Sequence, residues 1–448
     1  MRILFVQTNT YPLLHPLPIG PALVARRLQT DGHEVRFVDL MGERDPVGCA
    51  RAAARECGPD LCCYSVRNRD SMSAARYFDP MPVIAAVAAA VREVTAAPAL
   101  VGGTAFTTWP ERVLELLGAE YGLAGDDLAQ VTRFVASLAA GAPDLATPGL
   151  VYRGADGQVV ANPFALVGYR GLSGDHHALI DHRRYRAGFW QAAVITRSGC
   201  PERCIYCDTF HTFGREFVLR EPEAVAEELL ALKRTGRVRA VWLVDAGFNR
   251  PLDHAKAVLE AILRRGAQLQ LYAVFDPGPA DAEFFRLFRR AGGALLTMFV
   301  ESLSDPVLVE LAKSFTIADA LRDAAAMRRE RIGIVFMPTF GSPGETPQTV
   351  AQTLARVPQL APTVFDASVG WRLEPRTALH DRAVAEGLIT PDDDGWEPRF
   401  YVSPHTPREW LTAELKRFRR RHWWLGARIL PFALRALCVR PWTWGPES

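Results

Sequence analysis

The stretch "QAAVITRSGCPERCIYCDTF", residues 191–210, runs from a short apolar segment into a polar loop that carries Cys200, Cys204 and Cys207. The first part reads as a β-strand, and the loop starts where that strand ends. In sheets built from alternating strands and helices, chemistry collects at the carboxyl ends of the strands, so the loop's position predicts a βα-repeat domain organised around it. The spacing C-x3-C-x2-C suits neither a disulfide, which takes two thiols, nor structural zinc, which takes four ligands. A cubane iron–sulfur cluster takes one ligand per iron, so three thiolates leave one iron open to a small molecule with lone pairs. Two other readings stand beside it: a zinc site completed by a distant residue such as His211, and three unconnected buried cysteines. The polar, Gly- and Pro-containing loop argues against the last.

Downstream, the alternation continues through "AVWLVDAG", "QLQLYAVFD", "ALLTMFVES", "IGIVFMPTFG" and "FDASVGWRL". About six βα units are too few for a closed eight-fold barrel, so a partial (β/α)6 barrel over residues 189–385 is expected. Pro222 suits the first turn of the helix after the loop and Gly236 its stop. The remaining strands end at Asp245, Asp276, Glu301 with Ser302, "TFGSPGE" with Glu345, and Arg372 with Glu374. Several carboxylates would then ring one cavity with the cysteines, although each could equally cap its following helix.

Upstream, "RILFVQT", "EVRFVDL", "DLCCYSV", "APALVGG" and "EYGLAG" alternate with helical segments, with Gly32 and Gly118 as helix stops and Pro110 near a helix start. That pattern predicts a Rossmann-like, flavodoxin-like parallel sheet over residues 1–145, with ligand-binding loops at "TNTYPLLHP", "SVRNRD", "GGTAFT" and "GDD". Residues 146–188 read as a linker and 386–448 as a helical carboxyl-terminal region. There, Arg419, Arg420 and Arg421 lie beside Trp423 and Trp424, and the helix is expected to cover the open side of the barrel.

The whole chain of 448 residues is 49% hydrophobic and 23% charged, with a net charge of +2, an ordinary globular composition that gives no reason to expect nucleic acid. Its amino terminus reads directly as a strand, without a signal peptide or membrane span, which predicts a reducing cytoplasm. Cys49, Cys57, Cys62, Cys63 and Cys438 lack ligand spacing and read as buried apolar side chains.

The cysteine motif, with Tyr206 just before Cys207, resembles that of the radical SAM superfamily. "FVES", "PGET", "GWRLEPRTALHDRAVAEGLI", "DLCCYSVRNRD" and "GGTAFTTWPERVLELLGAEYGL" resemble its cobalamin-binding-domain subgroup. The resemblance implies a [4Fe–4S] cluster on Cys200, Cys204 and Cys207. It also implies S-adenosylmethionine (AdoMet) chelating the open iron and cleaved by one electron to a 5′-deoxyadenosyl radical, and an electron donor such as a flavodoxin, ferredoxin or reductase. The expected AdoMet-binding set is Tyr206, Asp245, Gly247, Glu301, Ser302, Thr339, Gly341 and Arg372. Asp245, Ala246 and Gly247 stand where the family has Gly-Gly-Glu.

The reaction is less constrained. No D-x-H-x-x-G offers a lower cobalt ligand, and Arg67 and Arg69 stand where a corrin would fit. In length and plan the chain resembles the radical SAM diol dehydratase of apramycin (aminoglycoside) biosynthesis. The expectation is therefore radical dehydration of a sugar-like 1,2-diol, a small-molecule substrate. Asp245, Asp276, Glu301, Glu345 and Glu374 would supply catalytic carboxylates and pair with ammonium groups. Cobalamin-dependent C-methylation is the alternative, and an iron–sulfur regulatory or electron-transfer protein is the alternative of another class.

Overall fold

The computed structural model describes residues 1–11, 15–169, 172–185 and 190–427; the expected carboxyl-terminal region beyond residue 427, with Cys438, lies outside them. The chain builds two α/β sheets in succession. The first has seven strands, in the spatial order Glu34–Asp39, Arg2–Gln7, Leu61–Ser65, Ala99–Gly102, Tyr121–Leu123, Leu150–Arg153 and Val159–Ala161. The first five pair in parallel and the last two antiparallel. The antiparallel pair lies beyond residue 145, in the stretch read as a linker. The antiparallel pair extends the sheet by short hairpin-like steps, so its strands lack the helical spacer that marked the others.

Alternating side chains of this sheet feed two cores. Leu4, Val6, Cys62 and Tyr64 pack with the helices Pro46–Cys57, Met81–Arg92 and Pro110–Leu117, while Ile3, Phe5, Leu61 and Cys63 pack on the opposite face. Adjacent Cys62 and Cys63 are therefore both buried, one on each side, and burial pushes the Cys62 thiol up to about 12. Gly118 ends its helix in the left-handed region at φ +56°, and Asp45 caps the second helix through the Gly48 N–H at 2.8 Å.

The second sheet has six strands, all parallel, in the order Val364–Phe365, Gly333–Phe336, Gly293–Met298, Gln270–Phe275, Ala240–Leu243 and Ala192–Val194. They lie in chain order, and the helices between them bury the largest core, rich in Phe275, Phe284, Phe285 and Phe288. The helix Arg408–Arg421 packs on this core through Leu411, Leu415 and Phe418, leaving Arg417, Arg419, Arg420 and Arg421 exposed, as a covering helix should. Among the described residues no helix is long and apolar enough to cross a membrane.

The first sheet is joined to the segment that follows the second, where Trp371–Arg372 pairs antiparallel with Phe400–Tyr401. Asp70, just after the third strand of the first sheet, accepts from Arg372 Nε at 2.9 Å, and both side chains are almost fully buried. Arg372 also donates to the carbonyls of Leu373 and Gly395. Arg69 pairs with Asp79 at 2.8 Å, donates to the Trp396 carbonyl and lies over the Trp396 ring. Trp109 reaches the Asp394 carbonyl at 2.8 Å.

Candidate active site

The cysteine loop leaves the first strand of the second sheet at Ile195 and is held from two sides. On one side stands Arg197, buried and without a carboxylate in its hydrogen-bond shell. Its guanidinium donates to the carbonyls of Gly199, Ala246, Gly247 and Arg250, and its flat face covers Phe217 at 4.5 Å. Asp245 completes this side: its carboxylate accepts from the Thr196 N–H at 2.8 Å, the Arg197 N–H at 3.1 Å and the Thr196 hydroxyl. Three donors from one loop make Asp245 a clamp between the first two strands of this sheet. Gly247, at φ +81°, brings bare backbone against the Asp276 carboxylate, where a Cβ would lie 2.1 Å from Oδ2. A side chain there would displace Asp276.

On the other side stands Tyr206. Its hydroxyl donates to Glu301 Oε1 at 2.9 Å and accepts from Lys313 Nζ at 2.7 Å, while its ring stacks on Trp371 with centroids 4.1 Å apart. Lys313 also donates to the Phe299 carbonyl at 3.0 Å and lies 3.5 Å from Glu301 Oε1. Glu301 holds φ +68°, a left-handed conformation unusual for glutamate and of the kind that clusters at functional sites. Burial works against the Lys313 ammonium, but Glu301, Cys204 and Asp276 outweigh it and raise its pKa; burial raises that of Tyr206 further, so the phenol stays protonated. Asp276 completes this flank, its pKa raised by burial and held back by Lys313 and Arg250, and Arg250 bridges it at 3.3 Å to Glu202 of the cysteine loop at 3.1 Å.

The other expected residues are placed differently. Ser302 is buried and shares a 3.0 Å hydrogen bond with Thr353 of the helix Pro347–Leu360, an internal packing contact. Thr339 bonds Ser368 at 2.9 Å across a two-stranded pairing. The Glu345 carboxylate accepts from the Gly341 N–H within its own turn, and burial pushes it up to about 7. Glu374 is also pushed to about 7 by burial, against the pull of Arg372. Arg372 joins the first sheet to the segment that follows the second. Of the five expected carboxylates, Asp276 and Glu301 both lie within electrostatic reach of Cys204, Asp245 clamps the start of the cysteine loop, and Glu345 holds its own turn. Lys313, Arg197 and Trp371 had no expected role. The helix Asp305–Glu310 ends early and Ala312 turns through φ +54°, which carries Lys313 inward from what periodicity reads as a surface position.

The three thiols suit a cluster better than a single metal ion. At about 2.3 Å Zn–S, tetrahedral zinc would draw its sulfurs to within about 4 Å of one another. Among the described residues the one group with three ligand atoms all within 4.8 Å is His176, His177 and Glu228, not the cysteines. The cysteines lie on a loop with a cation, Lys313, beside Cys204, an environment suited to thiolates that hold an iron–sulfur cluster.

The first sheet has a site of its own. Its order reverses between the strands Arg2–Gln7 and Leu61–Ser65, the switch point at which open sheets bind ligands. Thr10, just beyond the strand Arg2–Gln7, has a buried hydroxyl with no hydrogen-bond partner among the described residues, as has His15 Nδ1. Arg67 is exposed, and its guanidinium donates to Asn68 Oδ1 at 3.1 Å. Arg69 is drawn away to Trp396, so of the two arginines expected to obstruct a corrin only Arg67 remains. Gly103 serves the fold: its Cβ would lie 2.3 Å from the Val66 carbonyl oxygen. An orphaned polar atom at a switch point fits a large polar cofactor there.

Residues 194–357 match the family model of the Radical SAM superfamily. The tryptophan 2-C-methyltransferase of Streptomyces laurentii is 27% identical over 434 residues, covering 82% of this chain and 72% of its own length. The hopanoid C-3 methylase of Methylococcus capsulatus is 23% identical, and the match covers 67% of this chain but 56% of that protein. Among solved structures, the radical SAM methyltransferase TsrM of Kitasatospora setae, with tryptophan and an AdoMet analogue bound, superposes with a TM-score of 0.80 at 24% identity, over 93% of this chain and 89% of that one. The cobalamin-dependent enzyme OxsB, with aqua-cobalamin and AdoMet bound, gives 0.68 at 13% identity over 90% and 64%.

Proposed function

We infer that this chain, a radical SAM protein that uses a [4Fe–4S] cluster and AdoMet, is a cobalamin-dependent enzyme that places a methyl group on carbon of a small-molecule substrate. The observation that carries the reading is the extent of the likeness to the tryptophan 2-C-methyltransferase, which takes in 82% of the chain and hence both sheets. The diol dehydration expected from overall plan has no such support. C-methylation takes its place.

In this reading the second sheet is the open (β/α)6 barrel, and its strand ends face the switch point of the first. Cobalamin bound there would carry the methyl group between AdoMet and the substrate carbon, with Thr10, His15 and Arg67 as the polar atoms that meet it. Cys200, Cys204 and Cys207 would hold the cluster, supplied with electrons by a flavodoxin, ferredoxin or reductase. Lys313 offsets negative charge beside Cys204, Tyr206 keeps its proton between Lys313 and Glu301, and Trp371 supports the tyrosine ring. The buried Asp70–Arg372 pair holds the segment after the barrel against the loop that follows the third strand of the first sheet. The test is cofactor retention: protein refolded anaerobically with iron, sulfide and hydroxocobalamin keeps about one corrin per chain through gel filtration. Absence of corrin from a chain with an intact cluster overturns the reading.

A further inference from the structure

A second group of ligand-bearing side chains lies outside the cysteine loop. His176 and His177 sit on the short 3-10 helix Asp175–Leu179 in the connection between the sheets, and Glu228 on the helix Pro222–Arg234. One ligand atom from each lies within 4.8 Å of the other two. His176 and Glu228 are buried, and the His177 side chain is only 9% exposed. Their polar atoms are incompletely used. Both ring nitrogens of His176 and Nδ1 of His177 lack a hydrogen-bond partner among the described residues. His182 adds a further unpartnered nitrogen, Nε2, on a ring 5.2 Å from that of His177. Four orphaned imidazole nitrogens in one buried cluster are costly unless something completes them.

The surroundings prepare the carboxylate for that role. Arg220 holds Glu228 Oε2 at 2.6 Å and leaves Oε1, 2.9 Å from His177 Nε2, on the histidine side. Charged groups that grip the far oxygen of a ligating carboxylate are typical of outer shells around metals. Arg220 itself reaches the carbonyls of Ile195 and Leu172, so the cluster lies under the end of the strand from which the cysteine loop springs.

We propose that His176, His177 and Glu228 bind one divalent transition-metal ion and that zinc is the ion the set suits. Two imidazoles and one carboxylate are a borderline-soft donor set that matches zinc, and three protein ligands leave a fourth position for water. Its effect is mechanical. The Asp175 carboxylate is tied to Arg26 of the helix Ile19–Thr30 in the first domain, and Glu228 belongs to the first helix of the second sheet. An ion between them fixes the connection against both.

The test uses the full chain without an affinity tag, carrying Cys200→Ser, Cys204→Ser and Cys207→Ser so that no cluster iron is present. Elemental analysis after dialysis should find about one zinc per chain. Titration with Co2+ should give visible d–d absorption of a site with nitrogen ligands and no sulfur charge-transfer band. His176→Gln and Glu228→Gln should each weaken Co2+ binding by about tenfold or more. If these variants fail to fold, the Co2+ spectrum of the protein with its histidines intact decides alone. Retention of Fe2+ in place of zinc upholds the site and overturns the ion assigned to it. Folded protein that takes up neither Zn2+, Co2+ nor Fe2+ at micromolar concentration overturns the site.

Discussion

The two flanks of the cysteine loop each contain a buried cation, and they use it in opposite ways. Arg197 donates only to backbone carbonyls, four of them, from two loops. Lys313 meets a phenol, a carbonyl and a carboxylate and lies within electrostatic reach of Cys204 and Asp276. The difference follows from side-chain chemistry. A planar guanidinium with five donors can satisfy several carbonyls at once, whereas an ammonium on a flexible stem acts as a point charge. Arg197 therefore builds the loop, and Lys313 sets the charge beside what the loop holds.

The largest effect is expected from Arg197→Met. Several buried carbonyls lose their donor, at roughly 1–3 kcal/mol each, so thermal unfolding should shift down by several kcal/mol and iron incorporation should fail with it. Breaking the Asp70–Arg372 pair by Arg372→Met leaves a buried carboxylate alone and should cost about 3–5 kcal/mol, read from chemical denaturation and from faster proteolysis at that junction. Lys313→Gln should show the reverse balance. The Tyr206 hydroxyl still donates to Glu301, so stability drops by only about 1–2 kcal/mol. Iron content stays constant while turnover falls about 100-fold, and Lys313→Arg recovers part of it. Equal losses of stability and iron in the Lys313 and Arg197 variants would erase the distinction between the flanks.

The smallest effect concerns Glu345. Burial raises its pKa from 4.5 to about 7 in the folded chain, so the folded state holds a proton that the unfolded state releases first. Its contribution favours folding below pH 4.5, declines as pH rises towards about 7 and is flat above that. Glu345→Gln should remove this slope and leave the variant more stable than the parent at pH 8 by about 1 kcal/mol, measured by urea midpoints across pH. A slope unchanged in the variant would assign it to another group, with Glu374 next in line because burial raises it to the same value.

The alternation of strands and helices made both sheets legible in the sequence, because period and punctuation are local. The antiparallel extension Leu150–Ala161 was not, since two short strands without a helix between them look like a connection. The cysteines were legible because their chemistry lies in their spacing. The carboxylates were not, because a strand-end Asp or Glu reads identically whether it faces a chamber or caps a neighbouring loop. Asp245 shows the point: only the three-dimensional meeting with Thr196 and Arg197 reveals a clamp. Lys313 depends on one backbone turn at Ala312 that alanine does not announce. The triad His176, His177 and Glu228 joins residues about fifty positions apart, beyond the reach of any local pattern.

The central claim is the fate of the AdoMet methyl group. The most direct measurement supplies chain reconstituted anaerobically with iron, sulfide and hydroxocobalamin with trideuteriomethyl-labelled AdoMet, a reductant and a panel of small molecules that begins with tryptophan, and follows masses. The account predicts a product that carries the labelled methyl on carbon, formed together with S-adenosylhomocysteine. A product that has lost water and carries no label would contradict it.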